Sequence, residues 1–141
     1  MILIDTNVLI YAFTEPSPFF EWAQRTIAEA VSEDGAAVNA VCLAEVCVGE
    51  AEPAAVADRL RSWGITLLDV PVAAAEPCAK AYVEYRERRR AESGREAPSV
   101  PLPDFFIGAH AQVKGWTLAT ADGGRFRTYF PSVTLQTPSL G

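Results

Sequence analysis

Ile2-Leu3-Ile4 runs straight into the capping triplet Asp5-Thr6-Asn7. An apolar run this short, with no polar residue alternating, reads as a strand buried on both faces, as in a parallel sheet covered by helices. The rest of the chain repeats that unit. Val8 to Phe13 suits a first short helix. A second is expected over 19–33, with Phe20, Ala23, Ile27, Ala30 and Val31 on one face and Gly35 as its stop. Ala36-Ala37-Val38 reads as the second strand, and Asn39 as the cap of a helix over 40–50. Pro53 opens a helix through Ala55, Val56, Leu60 and Trp63 that Gly64 ends.

Ile65-Thr66-Leu67-Leu68 reads as the third strand, and Asp69-Val70-Pro71 as the opening of a long helix to Gly94. Pro98, Pro101 and Pro103 make 95–103 a loop, after which Asp104 starts a helix to Lys114, stopped by Gly115. Trp116 to Thr120 forms the fourth strand, Asp122-Gly123-Gly124 a turn, and Val133-Thr134-Leu135 a short last strand. Strands alternating with helices predict an α/β sandwich around a mainly parallel sheet. The 141 residues fit one domain, 1–141. No apolar run reaches the ~18 residues of a membrane span, and Met-Ile-Leu-Ile-Asp lacks a basic leader, so a cytoplasmic protein without membrane contact is expected. Cys42, Cys47 and Cys78, an odd set without C-x-x-C spacing, read as small core residues and not as a zinc or disulfide framework.

Charge is more telling where it is scarce. Five long stretches hold one charged residue each: Asp5 in 1–14, Glu45 in 35–49, Asp69 in 62–75, Asp104 in 97–113 and Asp122 in 115–124. All five are acids. A lone carboxylate in apolar surroundings neutralises or finds a cation, and a divalent ion is the economical partner for several at once. The formal charge of −6 argues at first against a nucleic-acid ligand. Setting the five acids apart leaves 12 basic and 13 acidic residues, so most of the net negative charge sits at isolated positions.

In such folds ligands bind beyond the carboxyl ends of the strands. Asp5 follows the first predicted strand, Asp122 the fourth, and Asp104 begins a helix. Glu45 is flanked by Val41, Cys42, Leu43, Ala44, Val46, Cys47 and Val48, which leaves its helix no evident solvent side. Asp69, two residues before Pro71, reads as an ordinary turn or cap. His110, six residues after Asp104, lies roughly 120° around the helix from it, which favours a packing or surface role.

Four segments in order, Ile2-Leu3-Ile4-Asp5-Thr6-Asn7-Val8-Leu9-Ile10, Leu43-Ala44-Glu45-Val46, Leu102-Pro103-Asp104-Phe105-Phe106-Ile107-Gly108-Ala109-His110-Ala111 and Leu118-Ala119-Thr120-Ala121-Asp122, resemble PIN-domain proteins. The tail Gly124-Arg125-Phe126-Arg127-Thr128-Tyr129-Phe130-Pro131 resembles the VapC-type toxins of toxin–antitoxin pairs. The resemblance implies a PIN-like three-layer α/β/α sandwich and an Mg2+- or Mn2+-dependent endoribonuclease, usually a homodimer, neutralised by a cognate VapB-type antitoxin. Its acidic site falls on Asp5, Glu45, Asp104 and Asp122, with Asp5 and Asp104 as central ligands; Asp69 matches no site position. Two departures stand out. Asn39 occupies a place where the family often has Ser or Thr, and Gly123-Gly124 leaves no further acid after Asp122, which weakens a second metal position.

The implied chemistry is hydrolysis of an RNA phosphodiester through a metal-activated water, leaving a 5′-phosphate and a 3′-hydroxyl. Thr6, Asn7 and Thr120 are candidates to hydrogen-bond the carboxylates or the phosphate, and Arg125, with Arg127 beside it, to meet a phosphate. Arg86, Arg88, Arg89, Arg90 and Arg95 interleave with Glu84, Glu87, Glu92 and Glu96 and read as a solvated helix face. Phe19, Phe20 and Trp22 suit either a partner surface or the core. Two alternatives stay open: a haloacid-dehalogenase-like phosphatase, which expects an acid where Asn7 stands, and a non-catalytic PIN-like interaction module.

Overall fold

The computed structural model describes residues 1–138. Its centre is β1 (Ile2–Ile4), all three residues buried, paired in parallel with β2 (Ala36–Asn39) on one side and β4 (Thr117–Ala119) on the other. β3 (Thr66–Leu68) extends the sheet beyond β2, and β5 (Leu135–Gln136) beyond β4, giving the order β3-β2-β1-β4-β5 with every pairing parallel. All carboxyl ends therefore share one edge of the sheet. The chain leaves β1 toward β2 but returns on its other side at β4, so the topological switch, where such sheets open a crevice, lies between β1 and β4.

Helices cover both faces. α1 (Thr6–Phe13) packs on α2 (Phe20–Ser32) and on α3 (Ala40–Val48), which packs on α4 (Pro53–Ser62). α5 (Ala75–Ser93), α6 (Pro103–Lys114) and α7 (Gly124–Tyr129) pack on one another. Phe105, Phe126 and Phe130 are at most 1% exposed, and burying each stabilises the fold by about 2 kcal/mol or more. Phe105 gathers the rings of Tyr82, Tyr85, Tyr129 and Phe130 at centroid distances of 5.0 to 6.0 Å. Gly108 gives that cluster room: a Cβ there would lie 2.9 Å from Phe130 Cγ.

The structure departs from the sequence expectation in several places. The first helix begins at Thr6, not Val8, because Asp5 is its N-cap. The long helix expected from Asp69–Pro71 is α-helical only from Ala75. No side chain caps it, and a 3-10 turn at Val72–Ala74, closed by the Ala74 amide on the Pro71 carbonyl at 2.9 Å, leads in. The tail after Asp122, where the sequence suggests only a turn at Asp122-Gly123-Gly124, contains α7. The last strand lies at 135–136 instead of 133–135.

Candidate active site

Asp5 is placed by the sheet and held by the helix it caps. Its amide donates to the Ala119 carbonyl at 2.9 Å, prolonging the β1–β4 ladder, and its Oδ1 accepts from the Thr6 amide at 2.7 Å. Thr120, one residue past β4, donates its hydroxyl to Asp5 Oδ2 at 2.8 Å. The Asp122 amide and, more weakly, Asn7 Nδ2 donate to that hydroxyl oxygen at 3.2 and 3.4 Å, while Asn7 Oδ1 accepts from the Ala121 amide at 3.0 Å. Thr120 and Asn7 thus tie the carboxyl ends of β1 and β4 together around one carboxyl group. Asp5 is 3% exposed, and burial pushes its pKa up to about 7, with Asp104 and Glu45 adding repulsion and the Thr120 hydroxyl and Thr6 amide opposing.

Asp104 enters from the first turn of α6, where the partial positive charge of the helix end favours an acid. Its Oδ2 accepts from Arg125 Nη1 at 3.1 Å, both side chains being 37% exposed. Burial raises the Asp104 pKa; the arginine opposes and Asp122 assists. Arg125 sits over the faces of Tyr85 and Phe105, 5.2 and 5.8 Å from the ring centroids, so an aromatic cradle aims it at the carboxylate. Asp122 turns its Oδ1 to the Gly124 amide at 3.2 Å, at the N-terminus of α7. Asp5, Asn7, Asp104, Asp122, Gly124 and Arg125 line one cavity of about 410 Å³ at the switch point.

Glu45 stands beside that cavity and not in its lining. Thr6 donates its hydroxyl to Glu45 Oε1 at 2.7 Å, which links α3 to the residue after Asp5. Its helix does have a solvent side, contrary to the sequence expectation: Ala40, Ala44 and Val48 form an exposed stripe. Asp69 is exposed at the end of β3, outside the cavity. His110 is fully buried, its Nδ1 3.1 Å from Asn39 Nδ2, and its ring lies 5.5 Å from that of Trp116. Burial lowers its pKa, so it packs as a neutral ring. Asn39 does two jobs, because its Oδ1 also accepts from the Cys42 amide and caps α3 at 3.0 Å. Cys42 and Cys78 are buried and Cys47 half-buried, all free thiols.

Four carboxylates beside an open polar cavity are the hard oxygen donors that Mg2+ and Mn2+ take, with room left for water. Among the described residues no three His, Cys, Asp or Glu side chains already converge as ligands of one ion. Each site acid is instead engaged by its own neighbour: Asp5 by Thr120, Glu45 by Thr6, Asp104 by Arg125 and Asp122 by the Gly124 amide. The set fits the ion in kind, and binding it requires some of these partners to be exchanged and the carboxylates to draw closer together.

Among solved structures the chain is similar to VapBC2 of Rickettsia felis, crystallised with a DNA fragment from its promoter. That match has 19% identity and a TM-score of 0.64 and covers 99% of this chain and 100% of that one. VapBC-1 of nontypeable Haemophilus influenzae matches with 20% identity and a TM-score of 0.65, over 97% and 98% of the two chains. VapC20 of Mycobacterium tuberculosis, a toxin that cleaves the sarcin-ricin loop, matches with 19% identity and a TM-score of 0.61, over 95% and 99%. No curated protein matches the chain in sequence. These likenesses establish the fold. The PIN domain accounts for residues 2–130, which leaves no room for the haloacid-dehalogenase alternative: the chain belongs to the PIN domain family.

Proposed function

We propose that this protein is a divalent-metal-dependent endoribonuclease, the toxin of a toxin–antitoxin pair. The observation that carries the reading is the convergence of Asp5, Asp104 and Asp122, from the ends of β1 and β4 and the start of α6, on one polar cavity at the sheet's switch point. Asp5, Asp104 and Asp122 hold the Mg2+ or Mn2+ ion, with Glu45 completing the site from beside it. The ion supplies the Lewis acidity that phosphodiester hydrolysis needs at neutral pH. Thr120, Thr6 and Asn7 fix the carboxylates against their mutual repulsion, and Arg125 is positioned by its aromatic cradle to face a phosphate once Asp104 is engaged elsewhere.

Two of the solved structures are VapBC complexes of toxin with antitoxin, which supports a small antitoxin as the partner of this chain. A second copy is the other partner, and the exposed Ala40–Ala44–Val48 stripe of α3 suits such an interface. No helix among the described residues is long and apolar enough to cross a membrane, and we place the activity in the cytoplasm, where the RNA is.

The test is cleavage of total RNA by antitoxin-free protein, with magnesium or with chelator, and mapping of the ends. Magnesium-dependent cuts leaving 5′-phosphates are expected, abolished by Asp5→Asn and by Asp104→Asn. If either folded variant cuts as fast as the parent, the site assignment is wrong.

A further inference from the structure

Residues 84–96 look almost neutral in sequence, but α5 sorts their charges in space. Arg90 is spent on Glu96, Nε to Oε1 at 3.4 Å. Arg88, Arg89 and Arg95 instead gather with Tyr85, Tyr129 and Glu92 around a groove of about 490 Å³. Three guanidiniums face one carboxylate there, and among the described residues none of the three is in an ion pair. Arg89 Nη1 donates to the Tyr85 hydroxyl at 2.9 Å, and Arg88 lies 5.6 Å from the centroid of the Tyr129 ring.

This groove joins the acidic cavity through one residue. The Tyr85 ring that carries Arg89 on its hydroxyl lies under Arg125, and Arg125 reaches Asp104. A line of guanidiniums therefore leads away from the carboxylates. Such a line answers a problem set by the site itself. A polyanion docked only at four acids is repelled, and its affinity has to come from cations alongside. Ring faces beside guanidiniums are also how single strands are held without sequence readout.

We propose that this groove binds the RNA strand next to the scissile bond, with Arg88, Arg89 and Arg95 on its phosphates and Arg88 backed by the Tyr129 ring. The proposal rests on the nuclease reading and adds the side from which the strand reaches the acids. It replaces the solvated-face reading for the groove side of α5, while Arg90 keeps it.

The test is binding of a fluorescent single-stranded RNA of about a dozen nucleotides, followed by anisotropy in chelator across a salt series, so that cleavage plays no part. Arg88→Gln/Arg95→Gln removes two phosphate contacts from two exposed positions. Its log K against log salt slope should be shallower by about 1.4, and its affinity at 0.1 M salt about 25-fold weaker. Arg61→Gln, at an exposed arginine on α4, should bind like the parent. In the unsubstituted protein, 4-thiouridine RNA should crosslink to peptides from the end of α5 and from α7. Parental affinity and slope in the double variant, or crosslinks confined to other elements, overturn the groove while magnesium-dependent cleavage by the parent keeps the nuclease reading. A parent that neither binds nor cuts RNA overturns both. Binding of polyglutamate in place of RNA overturns the proposal in favour of an acidic protein partner.

Discussion

Asp5→Asn, studied without metal, should yield a protein that is more stable as well as inactive. Asp5 is 3% exposed, and its pKa is lifted from 3.8 to about 7. Between those values the folded acid keeps a proton that the unfolded acid has released. Stability therefore falls as pH rises through this window and levels off above about 7. Three pH units at about 1.4 kcal/mol each put the whole loss near 4 kcal/mol. Asparagine has nearly the same shape and cannot charge. Its carbonyl keeps the bond from the Thr6 amide, but its amide meets Thr120 as a donor, and the Thr120 proton turns to the Asp122 carbonyl, 3.1 Å away. That exchange costs about 1–2 kcal/mol, leaving a net gain of about 2–3 kcal/mol at pH 8, or roughly 8 °C in Tm. Urea unfolding of both proteins in chelator at pH 5 and pH 8 is the assay. Asp104, raised by burial, titrates in the same direction in both proteins, so the difference between them reports Asp5 together with its repulsion of Asp104 and Glu45. A variant no more stable than the parent at pH 8, or a gap between the two that does not widen from pH 5 to pH 8, refutes the claim that a buried charge dominates this site.

Magnesium should reverse the ranking: millimolar Mg2+ raises the Tm of the parent and leaves that of Asp5→Asn almost unmoved, which a thermal melt reads directly. Gly108→Ala pushes a methyl into the Phe130 ring and should lower stability by about 2–3 kcal/mol in urea unfolding. Asn39→Ala removes the α3 cap and strands buried His110, for about 2–3 kcal/mol, whereas Asn39→Ser, which restores the cap alone, should recover roughly half in the same melt. Thr6→Val frees Glu45 from its 2.7 Å bond; calorimetry should find weaker Mg2+ binding with little change in Tm.

A charge alone in an apolar stretch is visible without any coordinates, and three of the five acids marked out in this way, Asp5, Asp104 and Asp122, line the cavity; β1 and β2 are legible because doubly buried strands are continuous apolar runs. The sequence hides α7, whose Gly-Gly start and Tyr-Phe-Pro end look like loop; only Phe126 and Phe130, one helical turn apart and both buried, betray it. The capping role of Asn39 is local and readable, but its bond to His110 spans 71 residues and depends on how α6 lies against β2. The charges of 84–96 mislead when summed, because a helix distributes neighbours around its axis and the sum discards direction. Arg125 stands out only by its closeness to Asp122; the aromatic cradle that aims it comes from α5 and α6.

The central strand of the sheet has a consequence in time. β1 needs β4 as a neighbour, and the Thr120 hydroxyl that steadies Asp5 lies 115 residues further along the chain. Synthesis runs from the N-terminus, and contacts this distant in sequence close late. A ribosome making this protein therefore carries Asp5 long before it carries a site. On the proposed reading, the nascent chain cannot cut the RNA that encodes it until β4 and Asp122 have emerged, and any product cut short before them lacks the cavity as well.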